Sequence, residues 1–137
     1  MQLSAFYKHN FPLGHSSMLV NEGLPNFIIS RIQKKMKIES MKIGLLGMAF
    51  KADVDDVRDS LSFKFKKELS FRKAIVLCSD RFIKDRKEYI SEKELIEKCD
   101  LLIICAPHTF YKKLDFKDKI VIDIWNMLSP KQNFASL

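Results

Sequence analysis

A three-layer α/β domain on a mainly parallel sheet of at least four strands, preceded by an N-terminal helix, is the fold class the sequence predicts. Four short apolar runs lie at 42–47, 74–78, 101–105 and 120–124, and none alternates with polar residues. Strands without alternation are covered on both faces, which is the habit of parallel sheets. Helical segments separate the runs, giving βαβ units with right-handed crossovers. The chain has 137 residues, a length that suits one hydrophobic core.

The elements follow in order. Residues 1–13 show no clear periodicity. From Met18 the pattern becomes helical, with Leu24, Ile28, Ile32 and Met36 repeating every fourth position. Pro25, with Gly23 beside it, predicts a helix start or a break between two helical pieces. Residues 37–41 read as a linker, so the expected division is 1–40 for lead-in and helix and 41–137 for the α/β domain. The run Lys42-Ile-Gly-Leu-Leu-Gly47 is a buried strand entering a glycine turn. Asp59 or Ser60 can cap the next helix, whose inner face carries Leu61, Phe65 and Leu69. Ser91-Glu-Lys-Glu94 is a capping box opening a short helix with Leu95 and Ile96 inside. Pro107 stops the third strand, and residues 108–113 are expected to make one or two helical turns.

Composition narrows the function. Of all residues, 47% are apolar and 30% charged, which is globular rather than disordered. No apolar run approaches the ~20 residues needed to span a bilayer. Met1 to Asn10 lack the basic start and apolar stretch of a secretory signal. Cys78, Cys99 and Cys105 are too few and too scattered for a disulfide framework, so a reducing cytoplasm is expected. The net charge of +7 favours anionic partners. The basic residues are dispersed in pairs such as Lys34-Lys35 and Lys66-Lys67, with no basic stripe interleaved with aromatics, which argues against nucleic acid. A metal needs more clustered ligands than Cys99, Cys105 and His108 supply. Cys105 closes an apolar strand and is expected to be an inert thiol.

In an open parallel sheet, ligands bind beyond the carboxyl ends of the strands. Here the first strand ends in Gly47-Met-Ala-Phe-Lys51. Glycine lets a backbone come close to a ligand, and lysine offers a mobile cation suited to phosphate. The dinucleotide fingerprint G-x-G-x-x-G is absent, because Gly44 and Gly47 are separated by two leucines.

The longer string Lys42-Ile-Gly-Leu-Leu-Gly-Met-Ala-Phe-Lys-Ala-Asp-Val-Asp-Asp-Val-Arg-Asp-Ser60 is more specific. It resembles the signature that opens the C-terminal, UDP-binding domain of the UDP-glucose/GDP-mannose dehydrogenase family, with Gly44, Gly47, Ala49, Phe50, Lys51, Asp55, Asp56, Arg58 and Ser60 in register. Asn21-Glu-Gly-Leu-Pro25 resembles the start of that family's inter-domain helix. Cys99-Asp-Leu-Leu-Ile-Ile104 and Ile122-Asp-Ile-Trp-Asn126 resemble later segments, so the likeness covers residues 18–128.

The resemblance implies a nucleotide-sugar (UDP-sugar) binding domain of an enzyme that oxidises the C6 hydroxyl of the sugar with NAD. It implies that Phe50 and Lys51 contact the nucleotide sugar, that Trp125 stands near it, and that Arg58 reaches toward the cofactor. Asp55 and Asp56 would shape the loop. It also implies a homodimer through residues 18–37 and a separate N-terminal dehydrogenase domain that supplies NAD binding. The chain departs from the family pattern in two respects. No cysteine lies in the family's catalytic G-G-x-C context, so the chain is expected to be inactive alone. Trp125 stands where many members place an arginine, which removes a bidentate contact. Tryptophan there can stack on a base or sugar, or fill a core gap.

Each site residue also has a purely structural reading. Lys51 can be a surface lysine, Phe50 a core aromatic, and Arg58 the partner of Asp55 or Asp56 in an exposed ion pair. The stripe Leu24, Ile28, Ile32 and Met36 needs cover, from the domain core or from a dimer seam, and the resemblance favours the seam. The alternative function is a ligand-free oligomerisation or partner-docking module.

Overall fold

A computed structural model describes residues 12–128. Helix α1 spans Pro12–Gln33. After it come β1 (Lys42–Leu46), α2 (Ser62–Phe71), β2 (Ile75–Ser79), α3 (Glu92–Lys98), β3 (Leu101–Ile104), a 3-10 helix at Thr109–Lys113 and β4 (Ile120–Asp123). The four strands form one parallel sheet in the order β2-β1-β3-β4. The chain thus leaves β1 toward one edge and returns past it to build the other. That reversal makes the carboxyl ends of β1 and β3 the topological switch point.

Strand residues point alternately to the two faces, and the core divides accordingly. Ile43, Leu45, Leu101, Ile103 and Ile122 pack with α1 and α2 through Ile28, Ile29, Ile32, Phe65 and Leu69. Leu46, Leu102, Ile104 and Val121 pack with Leu95 and Ile96 of α3 and with Tyr111 and Phe116. Helices therefore cover both faces, as the non-alternating strands require. Gly44 is needed where α3 comes down on the sheet, because a Cβ there would lie 2.7 Å from Leu102 and 2.8 Å from Leu95.

Several expectations shift. Helix α1 begins at Pro12, six positions before Met18, and runs through Pro25 without a break. Proline costs a helix one hydrogen bond, but Pro25, Ile28, Ile29 and Ile32 are all buried, and that apolar contact holds the helix across it. Helix α2 begins at Ser62 with Leu61 as an N-cap that makes no side-chain bond. Ser60 Oγ does accept the N–H of Ser62 at 3.3 Å, as a cap would, while donating to Ala49 O of the β1 loop. The Ser91 cap forms as expected, accepting the Glu94 N–H at 3.3 Å.

The stripe on α1 is covered by the core, not left as a seam. Ile28 and Ile32 are buried, and Leu24 and Met36 pack beside them. Polar contacts fix the helix further, since Arg72 at the end of α2 donates to Gln33 and Asn26, and Lys64 pairs with Glu22. A neighbouring face of α1 stays open, with Leu13, Leu19, Val20 and Phe27 exposed. Among the described residues no helix is long and apolar enough to cross a membrane.

Gly23 of α1 has nothing within 4 Å of a Cβ built on it. Gly23→Ala is therefore expected to stabilise the chain by about 0.5–1 kcal/mol, because glycine gives up the most backbone freedom in a helix. Urea unfolding followed by circular dichroism measures the gain.

Candidate binding site

The turn that opens the connection after β1 is anchored through its backbone amides and two of its carbonyls. Gly47 takes a left-handed φ of 88° and donates its N–H to Ser79 O at 2.9 Å. Met48 and Ala49 donate theirs to one oxygen, Asp80 Oδ2, at 2.7 and 3.0 Å. Phe50 N–H reaches Asp56 O at 2.7 Å, closing the loop on itself. Ser62 Oγ donates to Gly47 O and Ser60 Oγ to Ala49 O, at 2.9 and 3.1 Å.

The Asp80 side chain is wholly buried beside an equally buried His108. Burial alone would push its carboxyl up, but hydrogen bonds from His108, Phe82 N–H and Met48 N–H prevail and hold it below the usual carboxylate value. His108 Nε2 lies 3.0 Å from Asp80 Oδ2. Its other nitrogen, Nδ1, accepts the Asp53 N–H at 2.8 Å. A neutral imidazole has one donor and one acceptor, so this pairing assigns the proton to Nε2. Asp53 in turn accepts the Thr109 N–H at 3.0 Å. The connections after β1, β2 and β3 are thus tied through one carboxylate and one imidazole. Sequence reasoning weighed His108 only beside Cys105, as a base for the thiol or as a metal ligand, and did not single out Asp80. The usable signal was a carboxylate closing an apolar strand, Leu77-Cys78-Ser79-Asp80.

The residues singled out from sequence all lie at this carboxyl edge. Phe50 is 55% exposed and Trp125 51% exposed, so neither fills a core gap. Trp125 Nε1 donates to Cys105 O at 3.1 Å, which sets its ring just past β3 and β4. Lys51 is exposed on the β1 loop. Arg58 makes a bidentate pair with Asp56, Nε to Oδ1 at 2.9 Å and Nη2 to Oδ2 at 2.7 Å. Those hydrogen bonds hold the Asp56 carboxyl down at about 2. The structural reading of Arg58 is therefore met in this chain, and Asp56 shapes the loop. Beside the loop lies a cleft of about 620 Å³ lined by Asp53, Val54, Asp55, Arg81, Phe82 and Lys84. The Arg81 guanidinium sits 3.6 Å from the centre of the Phe110 ring at its border.

Nucleophilic and metal chemistry find no support in these residues. Burial pushes the Cys78 and Cys99 thiols up to about 11, and the Cys105 thiol further still. Among the described residues no three His, Cys, Asp or Glu side chains gather in a way that would hold a metal ion. The loop also does not fit a dinucleotide. The amides of 47–50, which would face a pyrophosphate in a glycine-rich dinucleotide loop, already serve Ser79, Asp80 and Asp56.

A parallel α/β sheet with exposed aromatics, a lysine and a cleft at its switch-point edge defines a Rossmann-like ligand-binding domain. The chain belongs to the UDP-glucose/GDP-mannose dehydrogenase family, whose UDP binding domain matches residues 44–130. It is 28% identical over 131 residues to the UDP-N-acetyl-D-mannosamine dehydrogenase of Methanocaldococcus jannaschii, an alignment covering 88% of this chain and 31% of that protein. It is 24% identical over 124 residues to an NDP-N-acetyl-D-galactosaminuronic acid dehydrogenase of Ralstonia solanacearum, covering 82% of this chain and 29% of the other. The solved UDP-D-ManNAc dehydrogenase of Pyrococcus horikoshii shares the fold, with a TM-score of 0.78 at 24% identity over 96% of this chain and 34% of that one. The chain thus spans about a third of the length of these relatives.

Proposed function

We infer that the chain binds a UDP-sugar at the carboxyl edge of its sheet and serves as the nucleotide-sugar half of a nucleotide-sugar 6-dehydrogenase. The observation that carries this reading is the pair of half-exposed aromatics, Phe50 and Trp125, flanking the ligand edge near Lys51. Aromatic faces left open there suit stacking on a base or sugar. An unpaired ammonium suits a phosphate. Hydride transfer to NAD would need a dehydrogenase domain beyond these residues, with Arg58 released from Asp56 to reach the cofactor. The setting is cytoplasmic, in keeping with three free thiols.

Isothermal titration with UDP, UDP-glucose and UDP-N-acetylhexosamines tests the binding. Lys51→Ala is expected to weaken the best ligand about tenfold, the equivalent of ~1.4 kcal/mol for one lost charge-assisted contact. Heat-silent titrations with all of these nucleotides would sink the reading. Without a partner domain, no NAD reduction is expected at 340 nm.

The second reading, a docking or oligomerisation module, is favoured by the open side of α1. Leu13, Val20 and Phe27 recur every seventh residue there and are 78%, 74% and 60% exposed, a stripe suited to a second helix. A homodimer through this side, rather than through the buried stripe, is the form this reading takes. A monomer in light scattering at high concentration rejects it.

A further inference from the structure

We propose that His108 and Asp80 are positioning residues for the Phe50–Lys51 loop, with the neutral Nε2–H form of His108 keeping the loop in its ligand-ready shape. The proposal rests on the UDP-sugar reading above and adds a proton-dependent control to that site.

The geometry carries it. Asp53 holds a left-handed φ of 56°, a conformation that aspartate tolerates better than most non-glycine residues. It is held there by the bond from Asp53 N–H to His108 Nδ1, returned by Thr109 N–H to Asp53 Oδ1. This clasp fixes the middle of the 50–56 loop to the connection after β3. On its other side His108 is fixed to Asp80, which also holds the Met48 and Ala49 amides just before Phe50. The two anchor points bracket Phe50 and Lys51.

Protonation changes the valence of the clasp. Imidazolium has two donors and no acceptor. Its Nδ1–H would then face the Asp53 N–H, donor against donor, and that bond is lost. The charged groups facing His108 are Asp80, at 3.0 Å from Nε2, and the Asp53 carboxylate, at 3.8 Å from Nδ1. Phe82 and Tyr111 close the remaining sides with their rings, at centroid distances of 4.8 and 5.2 Å. Arg81, next to Asp80 in sequence, stacks on Phe110. The new Nδ1–H can turn to the Asp53 carboxylate, whose two oxygens can accept it alongside the Thr109 N–H. Asp80 keeps its bond in both states. Acidification therefore removes the Asp53 N–H bond while the Asp80 side holds, and the backbone on the Lys51 side of the loop loses that anchor.

Two measurements decide it. In the unliganded 137-residue chain, imidazole nitrogen NMR should show Nε2 protonated and Nδ1 bare at mildly alkaline pH. On acidification, the Asp53 amide should shift and lose about tenfold of its intrinsic-rate-corrected exchange protection. An Nδ1–H tautomer, or an Asp53 amide indifferent to acidification, overturns the proposal. The second measurement is calorimetric affinity for UDP-glucose and UDP-N-acetylmannosamine over the same pH range. Wild type should weaken about fivefold on acidification. His108→Gln, which offers an amide and a carbonyl but does not titrate, should bind more weakly than wild type at alkaline pH and show no such fall. His108→Asn replaces it if the glutamine variant does not fold. A wild-type fall in either variant refutes the proton's role. If the wild type binds no nucleotide at any pH, the UDP-sugar reading fails, and the NMR result alone judges the clasp.

Discussion

Asp80→Ala is expected to cost about 3–5 kcal/mol of unfolding free energy, close to the loss seen when one member of a buried polar pair is removed. The reason is the number of groups it strands. Met48 and Ala49 would each keep a buried N–H without an acceptor, Phe82 a part-buried one, and His108 would lose the partner of Nε2. Each stranded group carries its own desolvation penalty. Asp80→Asn is expected to cost less, because the retained amide oxygen can still accept some of these N–H groups. The sign of the pH dependence follows from the depressed carboxyl. The Asp80 contribution is present in full above the ordinary aspartate value near 3.8 and is lost as pH falls through the lower folded value. Urea melts of wild type and Asp80→Asn should therefore converge on acidification below that point. Parallel curves would show that the ionised form of Asp80 contributes nothing.

Gly47→Ala should be comparably damaging, at about 2–4 kcal/mol. The left-handed backbone and the overpacking each contribute in the range of ~1–3 kcal/mol. Gly47 holds φ at 88°, and a Cβ there would lie 2.6 Å from Ala106 Cβ, 2.8 Å from its N and 2.9 Å from its O. Two of those atoms are backbone and cannot step aside as a side-chain tip can. Ala106 belongs to the connection after β3, so relief would require separating the β1 and β3 turns that form the switch point. Thermal unfolding of Gly47→Ala against the stabilised Gly23→Ala separates this local clash from any general effect of adding a methyl group. Equal melting temperatures for the two variants would contradict it.

The sheet was legible because its strands are covered on both faces, and continuous apolar runs such as Leu101–Ile104 have no other stable home. Helix boundaries were less legible. Pro25 looks like a helix start or a break in sequence, yet it lies inside α1 because the residues just after it bury against the core. The stripe from Leu24 to Met36 had two candidate covers, and only the packed structure distinguishes them. The positions of Phe50, Lys51, Arg58 and Trp125 at one edge follow from their register just past β1 and β4. The Asp80–His108 tie could not be read this way. Its partners are 28 residues apart, and its meaning arises only when three connections meet above the sheet. A lone aspartate at a strand end and a lone histidine after a proline carry no local periodicity to betray them.

The internal satisfaction of the β1 turn also bears on how a ligand would arrive. The amides of 47–50 and the carbonyls of Gly47 and Ala49 are engaged before any ligand is present, so the turn is already ordered in the free domain. Association then resembles the meeting of two rigid bodies, without the entropy loss of organising a floppy segment. The association rate should be governed by diffusion and by attraction between the ligand's anionic charge and the +7 chain. It should fall with added salt and show no slow second phase from loop closure.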